Sequence, residues 1–336
     1  MDQPRGKALT PETTGRENLA THRAGWPEWV PLVLLAGAVF VAGVALLIAR
    51  RSESERLPVD LSRTRAYSPA HAAKVDALGV AVATMLAPAS NADAYLMLIE
   101  YLGEKLGSPA HMIQRPSYAA INQLIERRLV DVAFICSGAY VILEKEAKAD
   151  LLVVPVVDGS TTYQSLIIVH PRLEAKSFSD LRGSTFAYVD TLSNTGYLYP
   201  RWRILDQPGE REDYFRTTIR THSHEKSIQM VRDGLVDGAA VDSLVYAALL
   251  RQQPELGELV RIVERSEPFG IPPVVIRKGL PPDFRAKLQQ IFLNMHRDEK
   301  GRRALGRLGV DRFAPGDSVS YASVDEMLRE LQRSSF

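Results

Sequence analysis

The chain has 336 residues, a formal net charge of +1 and a single cysteine, Cys136. Near-neutral charge offers no basic field for nucleic acid, so no nucleic-acid partner is expected, and one thiol excludes an intramolecular disulfide and any multi-cysteine metal site. The length accommodates one membrane span plus a soluble region of one or two domains.

Residues 1–28 are polar, charged and rich in Gly, Thr and Pro, the composition of a disordered tail. Residues 29–49 carry no charge and are long enough to cross a bilayer as one helix, with Trp26 and Trp29 suited to an interface. A cleaved signal peptide has a shorter tail and a small-residue cut site; here the apolar run ends in Ile48-Ala49-Arg50-Arg51, which reads as an uncleaved anchor. Arginines flank the run on both sides, so charge leaves its orientation open. Residues 50–76 form a charged tether without apolar periodicity.

From residue 77 the pattern becomes globular. Strands are predicted at Leu78–Ala83, His111–Gln114, Val130–Ile135, Val153–Val157 and Tyr163–Val169, with helices at Tyr95–Leu102 and Tyr118–Arg128. The same grammar restarts after Pro171. Strands at Thr185–Val189, Thr218–Arg220, Ala239–Val241, Arg261–Val263 and Val274–Ile276 alternate with helices at Glu225–Arg232 and Leu244–Arg251. Three helices, Pro281–Met295, Glu299–Leu308 and Val324–Gln332, close the chain. Such alternation implies an α/β fold with a parallel or mixed sheet covered on both faces.

The stretch from Phe186 to Arg203 organises the rest. It opens as a strand, passes Asp190 into Ser193-Asn194-Thr195-Gly196, and continues at helical spacing through Tyr197, Leu198, Trp202 and Leu205. A strand that turns into a helix this way gathers backbone N–H groups, hydroxyls and the positive helix end at one point, which can hold a small anion without Lys or Arg. The plainer reading is an ordinary N-cap.

Two segments 106 positions apart echo each other: Leu124–Ser137, containing Leu129-Val130-Asp131, and Met230–Ser243, containing Leu235-Val236-Asp237. Each runs from a helix through Leu-Val-Asp into a buried strand that ends in a polar pair, Cys136-Ser137 or Asp242-Ser243, and continues to Tyr140 or Tyr246. Two similarly built lobes would place both pairs at strand carboxyl ends, where open α/β sheets bind ligands.

These features resemble a type II periplasmic binding protein. Asp180-Leu181-Arg182-Gly183-Ser184-Thr185-Phe186-Ala187-Tyr188-Val189-Asp190, Ser193–Pro200, Ser223–Ser227, Gly234–Ala239, Leu280-Pro281-Pro282 and Phe313–Asp317 are similar to the phosphate/phosphite/phosphonate-binding components of ABC transporters, the PhnD-like family. The resemblance spans roughly Leu78 to Tyr321. It implies two lobes, 77–168 with a return over 265–336 and 169–264, joined by crossings near Tyr163–Val169 and Ile271–Ile276. It also implies an oxyanion held by Ser193, Asn194, Thr195 and Gly196 with His224, and a pocket completed by Tyr118 and Tyr140. Cys136, Ser137 and Asp242 would line the same cleft. The expected protein is a membrane-anchored binding protein outside the cytoplasmic membrane of a bacterium. It would carry no cofactor or metal and would deliver a small oxyanion to an ABC permease.

Cys136-Ser137-Gly138 departs from the Gly-Pro-rich turn common in transport members and is similar to a branch with arsenite-sensing proteins, which report to a sensor kinase. A soft thiolate suits such a metalloid, while a small buried residue is the plainer reading. An enzyme built on His222, His224 and Asp242 is the weakest alternative, since neither a Gly-x-Ser-x-Gly elbow nor a nucleotide loop is present.

Overall fold

Short runs of small and β-branched residues, such as Leu78-Gly79-Val80-Ala81-Val82 and Gly238-Ala239-Ala240-Val241, build strands buried on both faces. In this computed structural model the described residues are 77–83, 92–209 and 213–334. The predicted tail, apolar run and tether, residues 1–76, lie outside them. None of the described helices is long and apolar enough to cross a membrane.

The first half runs β1 (Leu78–Val82), α1 (Ala92–Leu106), β2 (Ala110–Gln114), α2 (Tyr118–Glu126), β3 (Val132–Phe134), α3 (Ser137–Lys145) and β4 (Ala149–Val156). Next come β5 (Thr162–Tyr163), β6 (Ser165–Val169) and β7 (Thr185–Tyr188), then a π-helical turn over Asn194–Leu198 that runs into α4 (Tyr199–Leu205). The chain continues through β8 (Thr217–Arg220), α5 (His224–Arg232), β9 (Gly238–Asp242), α6 (Ser243–Gln252) and α7 (Leu256–Leu259). It finishes with β10 (Arg261–Arg265), β11 (Phe269–Gly270), β12 (Val274–Arg277), α8 (Pro282–Asn294), α9 (Glu299–Leu308), β13 (Arg312–Ala314) and α10 (Ala322–Arg333).

Two mixed sheets result. One has the order β13-β4-β12-β3-β1-β2, the other β10-β6-β9-β7-β8. Each contains a parallel trio, β2-β1-β3 and β8-β7-β9, extended by antiparallel strands. The chain passes between sheets at β5 and returns at β11, and these two strands pair antiparallel. Ser165–Val169, expected to make the crossing, already lies in the second sheet. The crossing falls just before it, because β6 finds β9 and β10 as hydrogen-bonding neighbours.

The sequence echo is structural and keeps its register. Helix α2 starts at 118 and ends at 126, α5 at 224 and 232; α3 starts at 137 and α6 at 243. Arg128 and Gly234, at matching positions, both adopt positive φ, 58° and 67°. Asp131 accepts the Gly79 N–H at 3.1 Å, and Asp237 accepts the Thr185 N–H at 2.8 Å. The two aspartates therefore stitch strands together.

Candidate functional site

The carboxyl ends of both parallel trios meet helix N-termini that face one another. On the first sheet, Ser117 caps α2 and Cys136 caps α3, the thiol accepting from Ala139 N–H at 3.5 Å. On the second, Ser223 caps α5, Asp242 caps α6, and Ser193 caps the π-turn, its Oγ accepting from Gly196 N–H at 3.0 Å. Five positive helix ends and their N–H groups thus converge, the arrangement that favours an anion.

By the 106-residue register, Tyr118 matches His224 and Cys136 matches Asp242. Each lobe presents the first residue of one helix and the cap of the next. Both pairs are buried, and Ser193, Asn194, Thr195 and Ser137 are no more than 1% exposed.

The imidazole has a defined proton. Asp242 donates its backbone N–H to His224 Nδ1 at 3.0 Å, so the hydrogen sits on Nε2, 3.4 Å from Ser193 Oγ. Burial pushes the His224 pKa down to about 3, which keeps it a neutral donor. Asp242 Oδ1 accepts from Leu244 N–H at 2.7 Å and Val245 N–H at 3.4 Å. Burial, partly offset by these bonds, still pushes its carboxyl up to about 7. The Cys136 thiol is pushed up to about 12, again by burial, against the pull of the Ala139, Asn194 and Gly138 N–H groups. Burial also raises the Tyr118 and Tyr163 phenols well above their ordinary range.

The two jaws touch directly. Tyr118 N–H donates to Asp190 Oδ2 at 3.2 Å, and the Cys136 thiol donates to the Leu192 carbonyl at 2.9 Å. A Cβ added to Gly138 would lie 2.4 Å from that same Leu192 oxygen. Asn194 Nδ2 donates to the Tyr163 hydroxyl at 3.2 Å, while Asn194 Oδ1 is buried without a partner among the described residues. The two ends of the amide are isosteric: turned over, Oδ1 would accept from the Tyr163 hydroxyl and Nδ2 would be the unpaired group, and either way one buried amide atom lacks a partner, at a cost of about 1–3 kcal/mol.

Of the predicted residues, Ser193, Asn194, Thr195, Gly196, His224, Tyr118, Cys136, Ser137 and Asp242 are brought to this region. Gly196 is needed there because a Cβ would lie 2.5 Å from Val189 and 3.0 Å from His224. Tyr140 is placed elsewhere. Its hydroxyl donates to Glu144 at 2.7 Å and its ring packs edge-on against Tyr321, because α3 turns that face toward the C-terminal helix. Ser137 spends its hydroxyl on the Gly270 carbonyl of β11, at 2.7 Å.

Two residues outside the predicted set belong to the region. Asp190 also accepts from Leu192 N–H at 3.0 Å and lies 3.6 Å from His222 Nδ1. Tyr163 reaches in from β5. Their roles arise from pairing across the cleft, for which the local sequence carries no signal. A separate cavity of about 670 Å³ lies between Trp202, Phe269, Met327 and Glu330, away from these helix ends.

Solved structures with this architecture define the class. A binding protein component of an ABC phosphonate transporter from Pseudomonas aeruginosa superposes with a TM-score of 0.69 at 20% identity, covering 77% of this chain and 87% of that one. The methylphosphonate complex of PhnD1 from Prochlorococcus marinus gives 0.68 at 17% identity, covering 77% and 99%. The fold is that of a type II periplasmic binding protein.

The family model for the periplasmic phosphonate substrate-binding protein of ABC transporters matches residues 80–321, and the chain belongs to that family. Its members bind substrate for transport and are not enzymes. The phosphonates-binding periplasmic protein of Escherichia coli K12 is 23% identical over 273 residues, 79% of this chain and 80% of the relative.

Proposed function

We propose that this protein captures a small oxyanion, phosphate, phosphite or a phosphonate, between its lobes and presents it to an ABC permease. The observation that carries this reading is the Ser193 turn facing the α3 N-terminus, with the neutral His224 Nε2–H beside it. The Thr195 backbone N–H, the Ser193 and Thr195 hydroxyls and His224 supply donors without a cation. Cys136, Ser137, Tyr118 and Asp242 wall the guest, and Asn194, its amide turned so that Oδ1 accepts from the Tyr163 hydroxyl, offers it the freed Nδ2–H group. Neutral, preorganised donors need not be desolvated as charges, so specificity comes from geometry.

Closure around the β5–β11 hinge would convert binding into a shape change that a permease reads. The apolar run 29–49 supports a single-pass anchor that holds the lobes outside the cytoplasmic membrane.

A second reading has one specific support, the Cys136 thiol in contact with the Leu192 carbonyl at the jaw. A thiol there would suit arsenite, with signalling to a sensor kinase. Calorimetry of the full-length chain against phosphate, phosphite, methylphosphonate and arsenite tests both. Micromolar or tighter heats with the phosphorus oxyanions are expected; arsenite alone would favour the second reading, and silence from all four would reject capture of an oxyanion.

A further inference from the structure

Tyr118 opens α2, so its backbone N–H is one of the donors that a helix leaves free at its positive end. Ser117, the N-cap, takes the Ala120 N–H at 3.2 Å. The Tyr118 N–H goes instead to a carboxylate of the other lobe, Asp190 Oδ2, at 3.2 Å. The helix is therefore capped twice, once from its own lobe and once from across the cleft.

Asp190 is carried to that position by the strand before it. It lies two residues beyond β7, which ends at Tyr188, and is 2% exposed. A carboxylate is buried this deeply only where N–H groups or cations replace its water. Oδ1 accepts from Leu192 N–H at 3.0 Å, and the half-exposed His222 lies 3.6 Å from Oδ2. Leu192 and His222 belong to the same lobe as Asp190, so both stay with it when the lobes part. The bond to Tyr118 is the one that opening breaks.

Opening thus strips a hydrogen bond from the carboxylate and an end cap from the helix. The donors assigned to the oxyanion, on Ser193, Thr195 and His224, do not enter this bond. A negative guest would be repelled by the carboxylate, so the Tyr118 N–H serves Asp190 and not the guest.

We infer that Asp190 is an interlobe latch: it caps α2 across the cleft, favours the closed form and slows release of the guest without contacting it. Its effect on release rests on the proposed capture of an oxyanion between the lobes; the Asp190–Tyr118 bond itself needs no ligand.

Two measurements on the full-length chain test the latch. Asp190→Asn keeps the shape of the side chain but has one oxygen, which cannot serve both the Tyr118 and the Leu192 N–H. Without ligand, amide hydrogen exchange at Tyr118 should be at least about tenfold faster in Asp190→Asn than in wild type, with the amides of residues 122–125 in the same helix unchanged. With ligand, radiolabelled methylphosphonate chased by unlabelled compound should leave Asp190→Asn about threefold faster than wild type, and Asp190→Ala about tenfold faster. Equal exchange at Tyr118 in both proteins overturns the latch, as does faster exchange with unchanged release. Loss of protection all along α2 would make Asp190 a support of the fold and overturns it too. A wild type that retains no methylphosphonate would count against the capture reading instead, and exchange at Tyr118 would still decide the latch.

Discussion

Asp242 and His224 titrate in opposite senses because burial penalises whichever form is charged. The His224 pKa, lowered to about 3, lets the unfolded chain take its proton first, so this residue's contribution to stability is lost as pH falls below about 6.5. The Asp242 pKa, raised to about 7, acts the other way: its contribution is present at low pH and lost as pH rises from about 4 through 7. Between those limits both groups are neutral. Above about pH 7, Asp242 ionises and sets a negative charge beside the oxyanion. Asp242→Asn keeps the Oδ1 cap of α6 but removes that charge. It should bind methylphosphonate more tightly than wild type at pH 8, by roughly threefold to tenfold, and equally below about pH 6. Calorimetry across this range checks it; parallel profiles would show that Asp242 does not face the ligand. Cys136→Ser preserves a small polar N-cap. It should leave phosphorus-oxyanion affinity within about twofold while abolishing any arsenite response. Both measurements use the same titrations.

Gly138 opens a helix on one lobe and lies against a carbonyl of the other, so it bears on closure without touching a ligand. Gly138→Ala has nowhere to put its methyl unless the lobes part. It should weaken oxyanion binding at least about tenfold, or ~1.4 kcal/mol, while circular dichroism and the fold of each lobe stay unchanged. Unaltered affinity would mean that the jaws do not meet in the bound state. At this scale the sequence was informative where pattern and caps agree. Glu299–Leu308, with Asp298 before it and Gly309 after it, is found at its predicted bounds. The echo around Leu-Val-Asp located the matched helices and strands, since a repeated supersecondary unit leaves a repeated pattern. Helix α3 was not legible: Ser137-Gly138 reads as a turn, and the unbroken apolar run Ala139–Leu143 has no helical period. Strand β13 is three residues long and exists only because β4 offers an edge. The Ser193 turn was visible as a cap. Its partners Asp190 and Tyr163 were not, because their contacts join residues 72 and 31 positions apart.

At the scale of the molecule, α10 ties the lobes together through contacts with α3 and α4. It forms an ion pair between Asp325 and Lys145 of α3, and its Glu330 accepts the Trp202 indole N–H of α4 at 2.6 Å. Tyr321, just before it, donates to the Ile271 carbonyl beside the hinge at 2.7 Å. Opening the cleft would have to change the Trp202–Glu330 contact, so Trp202 should report closure. Its fluorescence is expected to shift on adding ligand, and Trp202→Phe to abolish the shift although Trp26 and Trp29 remain. A full signal in that variant would place the moving contact elsewhere. The central claim, that the two lobes hold a small oxyanion on the Ser193 turn, has a more direct test. Methylphosphonate titrated calorimetrically into the full-length chain and into Ser193→Ala/Thr195→Ala should bind the first with micromolar or tighter affinity. It should bind the second more weakly by about 1–3 kcal/mol for each charge-assisted hydrogen bond removed. Equal affinity for both proteins would contradict it and move the site away from this turn.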